Sequence, residues 1–292
     1  MKFRRLTIDD KALFETYLTD AQPPIWEYNF FTVFTWDFED KRRLWHNEDF
    51  LLVYAVYQGK CVFLPPYLKH PGAFIPAIET IENNCPCPHR EVRIRGLSRE
   101  QADTLALRGY EITVSRDDSD YIYLSDDLKY LRGKPFHAKR NFVNRFTEAY
   151  AFEFREYEDG DFPSFLALFD RWQEESPHET LLQERAAIIR ALENRAALEL
   201  KIGVMVIDGA VRGYSLSAFN PDGAVHTGFE KADTAYRGIY QALNQMAAQR
   251  FFADGVLVNR QEDMGIEGLR RAKESYNPVR LLEKYKARRV LT

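Results

Sequence analysis

Two periods run through the apolar positions of this chain. Unbroken or alternating apolar runs of four to eight residues predict strands, and spacings of three and four predict helices. Leu51 to Tyr57, a Gln58-Gly59 turn and Cys61 to Leu64 read as a hairpin. Glu199 to Ile207, Asp208-Gly209 and Val211 to Phe219 read as a second, with the stronger Asp-Gly turn signal. Asn220-Pro221-Asp222-Gly223 turns the chain into a further strand, Ala224 to Phe229. Val92 to Arg95 and Val256 to Asn259 have the look of interior strands. Helix starts are equally legible. Thr7-Ile8-Asp9-Asp10 is an acidic cap for a helix through about Leu18, and Ser98-Arg99-Glu100-Gln101 is a capping box whose helix stops at Gly109. Asp161 with Pro163 opens another helix, Phe165 to Trp172, and Leu181 to Arg195 predicts one more.

The order helix, hairpin, helix, strand, helix then occurs twice. Asp10 answers Asp161 at an offset of 151, and Gly59 answers Gly209 at 150. Val92 answers Val256, and Leu105 answers Leu269, both at 164. The expectation is a mixed α/β (α+β) chain of two similar halves, residues 1–150 and 151–292, the second longer by a hairpin strand near Asn220 to Ala235.

Composition narrows this picture. With 45% hydrophobic and 14% aromatic residues in 292, the chain can bury a sizeable core, which excludes a disordered or low-complexity protein. No apolar run approaches the length of a membrane span, and no apolar signal region follows the basic start. Three cysteines without such a signal give the cytoplasm, with reduced thiols, as the expected location.

Charge adds a direction. The net charge is −4, yet residues 129–145 hold six Lys or Arg and no acid, and residues 269–289 hold eight against Glu274 and Glu283. Cations gathered in two segments of an acidic protein suggest a local anion site; two solvated helix faces are the simpler alternative.

Three segments carry candidate chemistry. Arg237-Gly238 opens a helix running to about Phe252, where unpaired N–H groups, a glycine and an arginine would suit a phosphate. Asn259-Arg260-Gln261-Glu262-Asp263 lies at a strand end and leads to Arg270, Arg271 and Lys273. There Glu262 or Asp263 would bind an ammonium or act as a general base, with Asn259 and Gln261 as neutral donors. Helix 136–146 would present Lys139, Arg140 and Asn144 to phosphates, so that Lys139, Arg140, Arg270, Arg271 and Lys273 form one basic wall. Cys85-Pro86-Cys87-Pro88-His89 is too tight and too short of ligands for structural zinc, so no metal is expected. No activated Ser or Cys stands out, and direct transfer without a covalent enzyme intermediate is expected.

The motifs Gly133-Lys134, Lys139-Arg140-Asn141 and Asn144-Arg145-Phe146 carry a resemblance together with Asn259 to Asp263, Gly265 to Arg270, Ala272-Lys273 and Ser275-Tyr276-Asn277-Pro278. They resemble the stand-alone family related to the C-terminal domain of bacterial phosphatidylglycerol lysyltransferases. The element order likewise resembles a tandem GCN5-related N-acetyltransferase (GNAT) fold. The resemblance implies two GNAT-like halves, the second of them active. It also implies transfer of an aminoacyl or acyl group, from aminoacyl-tRNA or acyl-coenzyme A, to an amine or hydroxyl, a lipid headgroup among them. No further cofactor is implied; tRNA, coenzyme A and peripheral anionic lipid are the implied partners. The alternative is a non-catalytic anion-binding module for a nucleotide, RNA or membrane headgroup.

Overall fold

A strand such as Phe50-Leu-Leu-Val-Tyr-Ala-Val-Tyr57 buries both faces, and so belongs inside a covered sheet. The computed structural model describes residues 1–18, 24–57, 59–86, 90–175 and 181–291. Its strands are β1 (Arg4–Arg5), β2 (Arg43–His46), β3 (Phe50–Tyr57), β4 (Lys60–Phe63), β5 (Tyr67–Leu68), β6 (Glu91–Leu97), β7 (Glu111–Val114), β8 (Asp120–Leu124), β9 (Glu153–Glu156), β10 (Lys201–Ile207), β11 (Ala210–Phe219), β12 (Val225–Ala232), β13 (Leu257–Asn259), β14 (Arg280–Leu282) and β15 (Tyr285–Val290). The helices are α1 (Lys11–Glu15), α2 (Phe30–Thr35), α3 (Phe74–Asn83), α4 (Arg99–Leu107), α5 (Ser125–Tyr130), α6 (His137–Ala149), α7 (Phe162–Glu175), α8 (Leu181–Glu193), α9 (Ile239–Phe251) and α10 (Glu267–Glu274).

These strands form two sheets of matching design. One runs β1-β2-β3-β4-β6-β15-β7, with β5 added beside β3; the other runs β9-β10-β11-β12-β13-β8-β14. In each, the fourth and fifth strands pair in parallel, Phe63 opposite Ile94 and Val225 opposite Val258. The duplication is visible in side chains too. Arg4 binds Asp10 beneath the first helix, and Arg155 binds Asp161 beneath its counterpart at 2.6 Å, with an offset of 151 for both residues. Each of those aspartates also accepts the backbone N–H three residues before it, Thr7 and Glu158 respectively, both at 2.9 Å.

Sheet membership does not change at residue 150. The sixth place in each sheet is taken by a strand from the other end of the chain: β8 joins the second sheet and β15 joins the first. The pairing of turns also differs from the sequence expectation. The Gly59 turn joins the third and fourth strands of its sheet, whereas Asp208-Gly209 joins the second and third of the other. The shift arises because β2, only four residues long with Trp45 and His46 partly exposed, carries no apolar run to announce it. The second sheet therefore has no extra hairpin strand.

One apolar core spans both halves, joining Phe14, Phe30, Phe31 and Phe34 to Phe165, Phe169, Tyr214 and Phe229. Segment 24–36 of the first half thus lies over one face of the second sheet, with Trp36 stacked on Phe229 at 5.7 Å. Cys61 is disulfide-bonded, unlike the reduced thiol expected from composition, and residues 87–89 of the Cys85–His89 motif lie outside the described residues. No helix among the described residues is long and apolar enough to cross a membrane.

Candidate functional site

The second sheet opens where its parallel pair ends. β12 and β13 pair at Val225–Val258 and His226–Asn259, then diverge. Backbone groups of β12 beyond Thr227 would be left facing a gap, and buried backbone groups need partners. The Gln261 amide supplies them, donating to the carbonyls of Thr227 at 3.1 Å and Gly228 at 2.9 Å. Gly228 needs no left-handed backbone there; it needs space, because a Cβ would stand 2.2 Å from the Phe31 ring of the first half.

The loop leaving β13 is bent by left-handed residues at Gln261, Met264 and Gly265. Its shape is held by Lys273 of α10, which is buried. The ammonium donates to three consecutive carbonyls, Arg260 at 2.7 Å, Gln261 at 3.0 Å and Glu262 at 2.5 Å. Burial pulls Lys273 down to about 8. Asp263 is the second anchor. Its fully buried carboxylate accepts from Arg116 Nη1 at 2.6 Å, Tyr121 OH at 2.7 Å, Arg270 Nε at 2.9 Å and the Gly265 N–H at 2.9 Å. Burial alone would raise its pKa; bonds from Arg270, Tyr121, Gly265 and Arg116 outweigh that and hold it well below the usual range. A carboxylate so filled does not accept a substrate proton, so the geometry makes Asp263 a loop anchor.

Glu262 is differently placed. Its side chain is 19% exposed, with one oxygen 3.1 Å from Lys284 Nζ. Lys284, 5% exposed, also meets Asp120 at 2.9 Å and Glu27 at 3.3 Å. Burial disfavours its charge, but Asp120, Glu262 and Glu27 outweigh that and push it above the ordinary lysine value. Asn259 ties this cluster to the strand end, donating to Asp120 and to the Pro24 carbonyl, both at 2.8 Å.

On the α9 side of the gap, Arg260 donates to Glu230 of β12 at 2.9 Å and lies over the Tyr276 ring at 5.0 Å. Asn244 of α9 reaches the other Glu230 oxygen at 3.3 Å. Lys139 of α6 packs on the opposite part of this patch, 4.1 Å from the Tyr276 ring, its ammonium 2.5 Å from Ser275 Oγ.

Several expected phosphate contacts are spent inside the protein. Arg140 donates to the carbonyls of Leu131 and Gly133, and Arg270 bridges Asp263 and Asp117. Arg271 is exposed beside Glu267 at 3.8 Å, so the five cations form no continuous wall. Gly238 does cap α9 in a left-handed conformation, but the close neighbour is protein: a Cβ would stand 2.5 Å from the Phe142 carbonyl oxygen. Arg237 itself is exposed near the Phe142 ring, and Asn144 is exposed on α6. Arg132, Lys134 and Arg145 are exposed as well. Among the described residues no cluster of ligating side chains would hold a metal ion.

Residues 26–288 match the family described as phosphatidylglycerol lysyltransferase, C-terminal. The chain belongs to that family. Within it, the loop 259–266 and α10 are the segments whose motifs were readable, whereas Glu230, Asp120, Glu27 and Lys284 were not. For Glu230 the signal was faint: Glu230-Lys231 is a charged pair in a strand that also carries His226 and Thr227.

A conserved protein of unknown function from Bacteroides thetaiotaomicron shares the fold at a TM-score of 0.89 and 29% identity, covering 99% of both chains. L-PGS from Bacillus licheniformis superposes at 0.62 with 17% identity, over 88% of this chain and 87% of that one. A tandem GNAT protein from the clavulanic acid biosynthesis pathway superposes at 0.55 with 14% identity over 98% of each. The family members and this chain thus share a fold of two tandem GNAT-like halves. An uncharacterised protein of Mycoplasmoides gallisepticum is 23% identical over 180 residues, which span 60% of this chain and 58% of that relative's length.

Proposed function

We propose that the chain transfers an aminoacyl group from charged tRNA to an amine or hydroxyl acceptor, with acyl-coenzyme A as the alternative donor and a lipid headgroup as one acceptor class. The observation that carries this reading is the gap between β12 and β13, flanked by the Arg260–Glu230 pair, in a member of this family. A strand end that opens beside a helix N-terminus is where α/β proteins collect ligands. The donor's phosphates would lie along the exposed Arg132, Lys134, Asn144, Arg145 and Arg237. Its acyl carbon would enter the gap beside Arg260. Glu262, the one carboxylate of the Lys284 cluster that reaches solvent to a substantial degree, would hold the ammonium of the aminoacyl group. The first half would serve as a support that closes the face opposite α9 with Phe31 and Trp36, and the second half would carry the reaction. Cytoplasmic placement fits such donors.

The test offers a pool of charged tRNAs and a set of acyl-coenzyme A esters, with amine and headgroup acceptors, and follows transfer by mass spectrometry. Consumption of a charged tRNA with a matching acylated product is expected. Glu262→Gln should raise KM for the aminoacyl donor and leave kcat within a few-fold, the mark of lost ground-state binding. If every donor survives intact while tRNA still binds tightly, the chain is a binding module and this reading fails.

A further inference from the structure

A recess of about 450 Å³ lies between the segment that follows α2 and helix α8. That volume suits a small organic ligand. Phe34, Asp37 and Glu39 line it from the first half, and Ile189, Arg190 and Glu193 from the second; none of them belongs to the gap between β12 and β13. Among the lining residues three carboxylates meet one guanidinium. That guanidinium is already engaged. Arg190 Nη1 donates to the Asp37 carbonyl at 3.0 Å and to Asp40 Oδ1 at 2.9 Å, and the group lies 4.2 Å from the centre of the Phe34 ring. Asp37 is the unusual member. It is 2% exposed; one carboxylate oxygen accepts the Arg42 N–H at 2.8 Å, and the other has no hydrogen-bond partner among the described residues. A buried carboxylate oxygen left without a donor is costly. Burial raises the Asp37 pKa even against that bond and the nearby Arg42 and Arg190 charges, the mark of a carboxylate short of positive charge. Exposure grades along the recess, from buried Asp37 to exposed Glu39 and Glu193. Lys41 reaches Glu39 at 2.5 Å, but both side chains are exposed and such a pair is weak enough to be displaced. Phe34 and Ile189 supply apolar wall between the two ends.

We propose that this recess binds an aliphatic diamine or polyamine, with one ammonium on the unpartnered Asp37 oxygen, the next at Glu39 and Glu193, and the methylenes between them along Phe34 and Ile189. A primary ammonium brings three donors and no acceptor, which is what a carboxylate lacking a donor requires. Bonds between charged groups are also the strong ones. An uncharged apolar molecule would leave Asp37 unpaired, and an anion would face three carboxylates. A long methylene stem is needed because the buried and the exposed acids lie at different depths. The site takes residues from both halves, so an occupant would hold them together and stabilise the folded chain by mass action. Nothing in it depends on the transfer reaction, and it stands or falls separately.

Cadaverine, pentylamine and pentanol share a five-carbon stem and carry two, one and no ammonium groups. Each is titrated into the full chain by isothermal calorimetry. One cadaverine per chain is expected, with pentylamine a few-fold weaker and pentanol not measurably bound. Asp37→Asn keeps an oxygen for the Arg42 N–H and removes the charge; it should weaken both amines by at least about tenfold. Glu39→Gln combined with Glu193→Gln should bring cadaverine down to the affinity of pentylamine and leave pentylamine within about twofold. Ile189→Trp fills the recess from the opposite wall and should abolish binding of both amines, which decides the matter if Asp37→Asn does not fold. Circular dichroism checks the fold of each variant. No cadaverine binding in the parent, or pentylamine no tighter than pentanol, overturns the site. So does cadaverine binding that survives Ile189→Trp, or that falls as far in Glu153→Gln, an exposed acid on β9, as in Asp37→Asn; either would mean general attraction to an acidic chain.

Discussion

Lys284→Met removes one ammonium and leaves Glu27, Asp120 and Glu262 facing each other with little solvent. Lys284 is the residue that meets all three, at 3.3, 2.9 and 3.1 Å. Methionine preserves the side-chain volume, so the loss is electrostatic. Breaking a buried ion pair by deleting one partner costs about 3–5 kcal/mol. For a chain of this size each kcal/mol lowers Tm by roughly 2–4 °C, giving a fall of about 10 °C. The pH dependence has a definite sign. Lys284 has its folded pKa raised, so its stabilisation is fully present below the unfolded lysine value and lost only as pH rises through the folded one. In the variant Glu27, which burial already raises, loses the ammonium that opposes that rise, so its protonation restores stability as pH falls. Thermal denaturation of parent and variant from pH 8 to pH 5 should therefore show the largest gap at the alkaline end. A variant within about 1 kcal/mol of the parent at pH 7, or a gap that widens on acidification, would refute the charge argument.

Three further outcomes are expected. His226 is buried, and burial pulls it down to about 4, so the unfolded chain binds its proton first; stability should fall by about 3 kcal/mol between pH 6.5 and 4, and His226→Phe should remove most of that fall in urea titrations at each pH. Gly238→Ala forces a Cβ against the Phe142 carbonyl at a left-handed position and should cost at least about 2 kcal/mol by chemical denaturation, with Gly59→Ala, where nothing stands within 4 Å, as the milder control. Removing an exposed cation, as in Arg145→Ala or Arg237→Ala, should lower the slope of log tRNA affinity against log salt by roughly 0.7–0.9 each, whereas Arg140→Ala, whose guanidinium is bonded to carbonyls, should leave the slope unchanged.

Much of the local structure was readable because local structure is locally encoded. The capping box at Ser98–Gln101, the Asp-Gly turn at 208–209 and the helix after Gly238 each follow from a few adjacent residues. The repeat was readable through Asp10 and Asp161 for the same reason. Tyr121 to Tyr123 could be read as apolar, but nothing in Asp120–Leu124 says which sheet it joins; that is decided by partners more than 100 residues away, at β13 and β14. Charge was the most deceptive signal. The two basic segments are real, yet a count of cations cannot separate Arg145, which faces solvent, from Lys273, which is folded into a nest of carbonyls. Nor could the contact between Lys139 and Ser275 be read before α6 was placed against the end of α10.

The exchanged strand also sets a schedule for biosynthesis. β15 fills the slot between β6 and β7, yet β7 ends at Val114 and β15 begins at Tyr285. At ribosomal speeds of about 5–20 residues per second, the first sheet waits roughly 10–30 s with two unpaired edges open in its middle. Open edges invite foreign strands. A nascent chain stalled before Tyr285 should therefore be a better chaperone client than the finished protein, and a synthetic peptide spanning Tyr285–Val290 supplied during translation should compete for that slot.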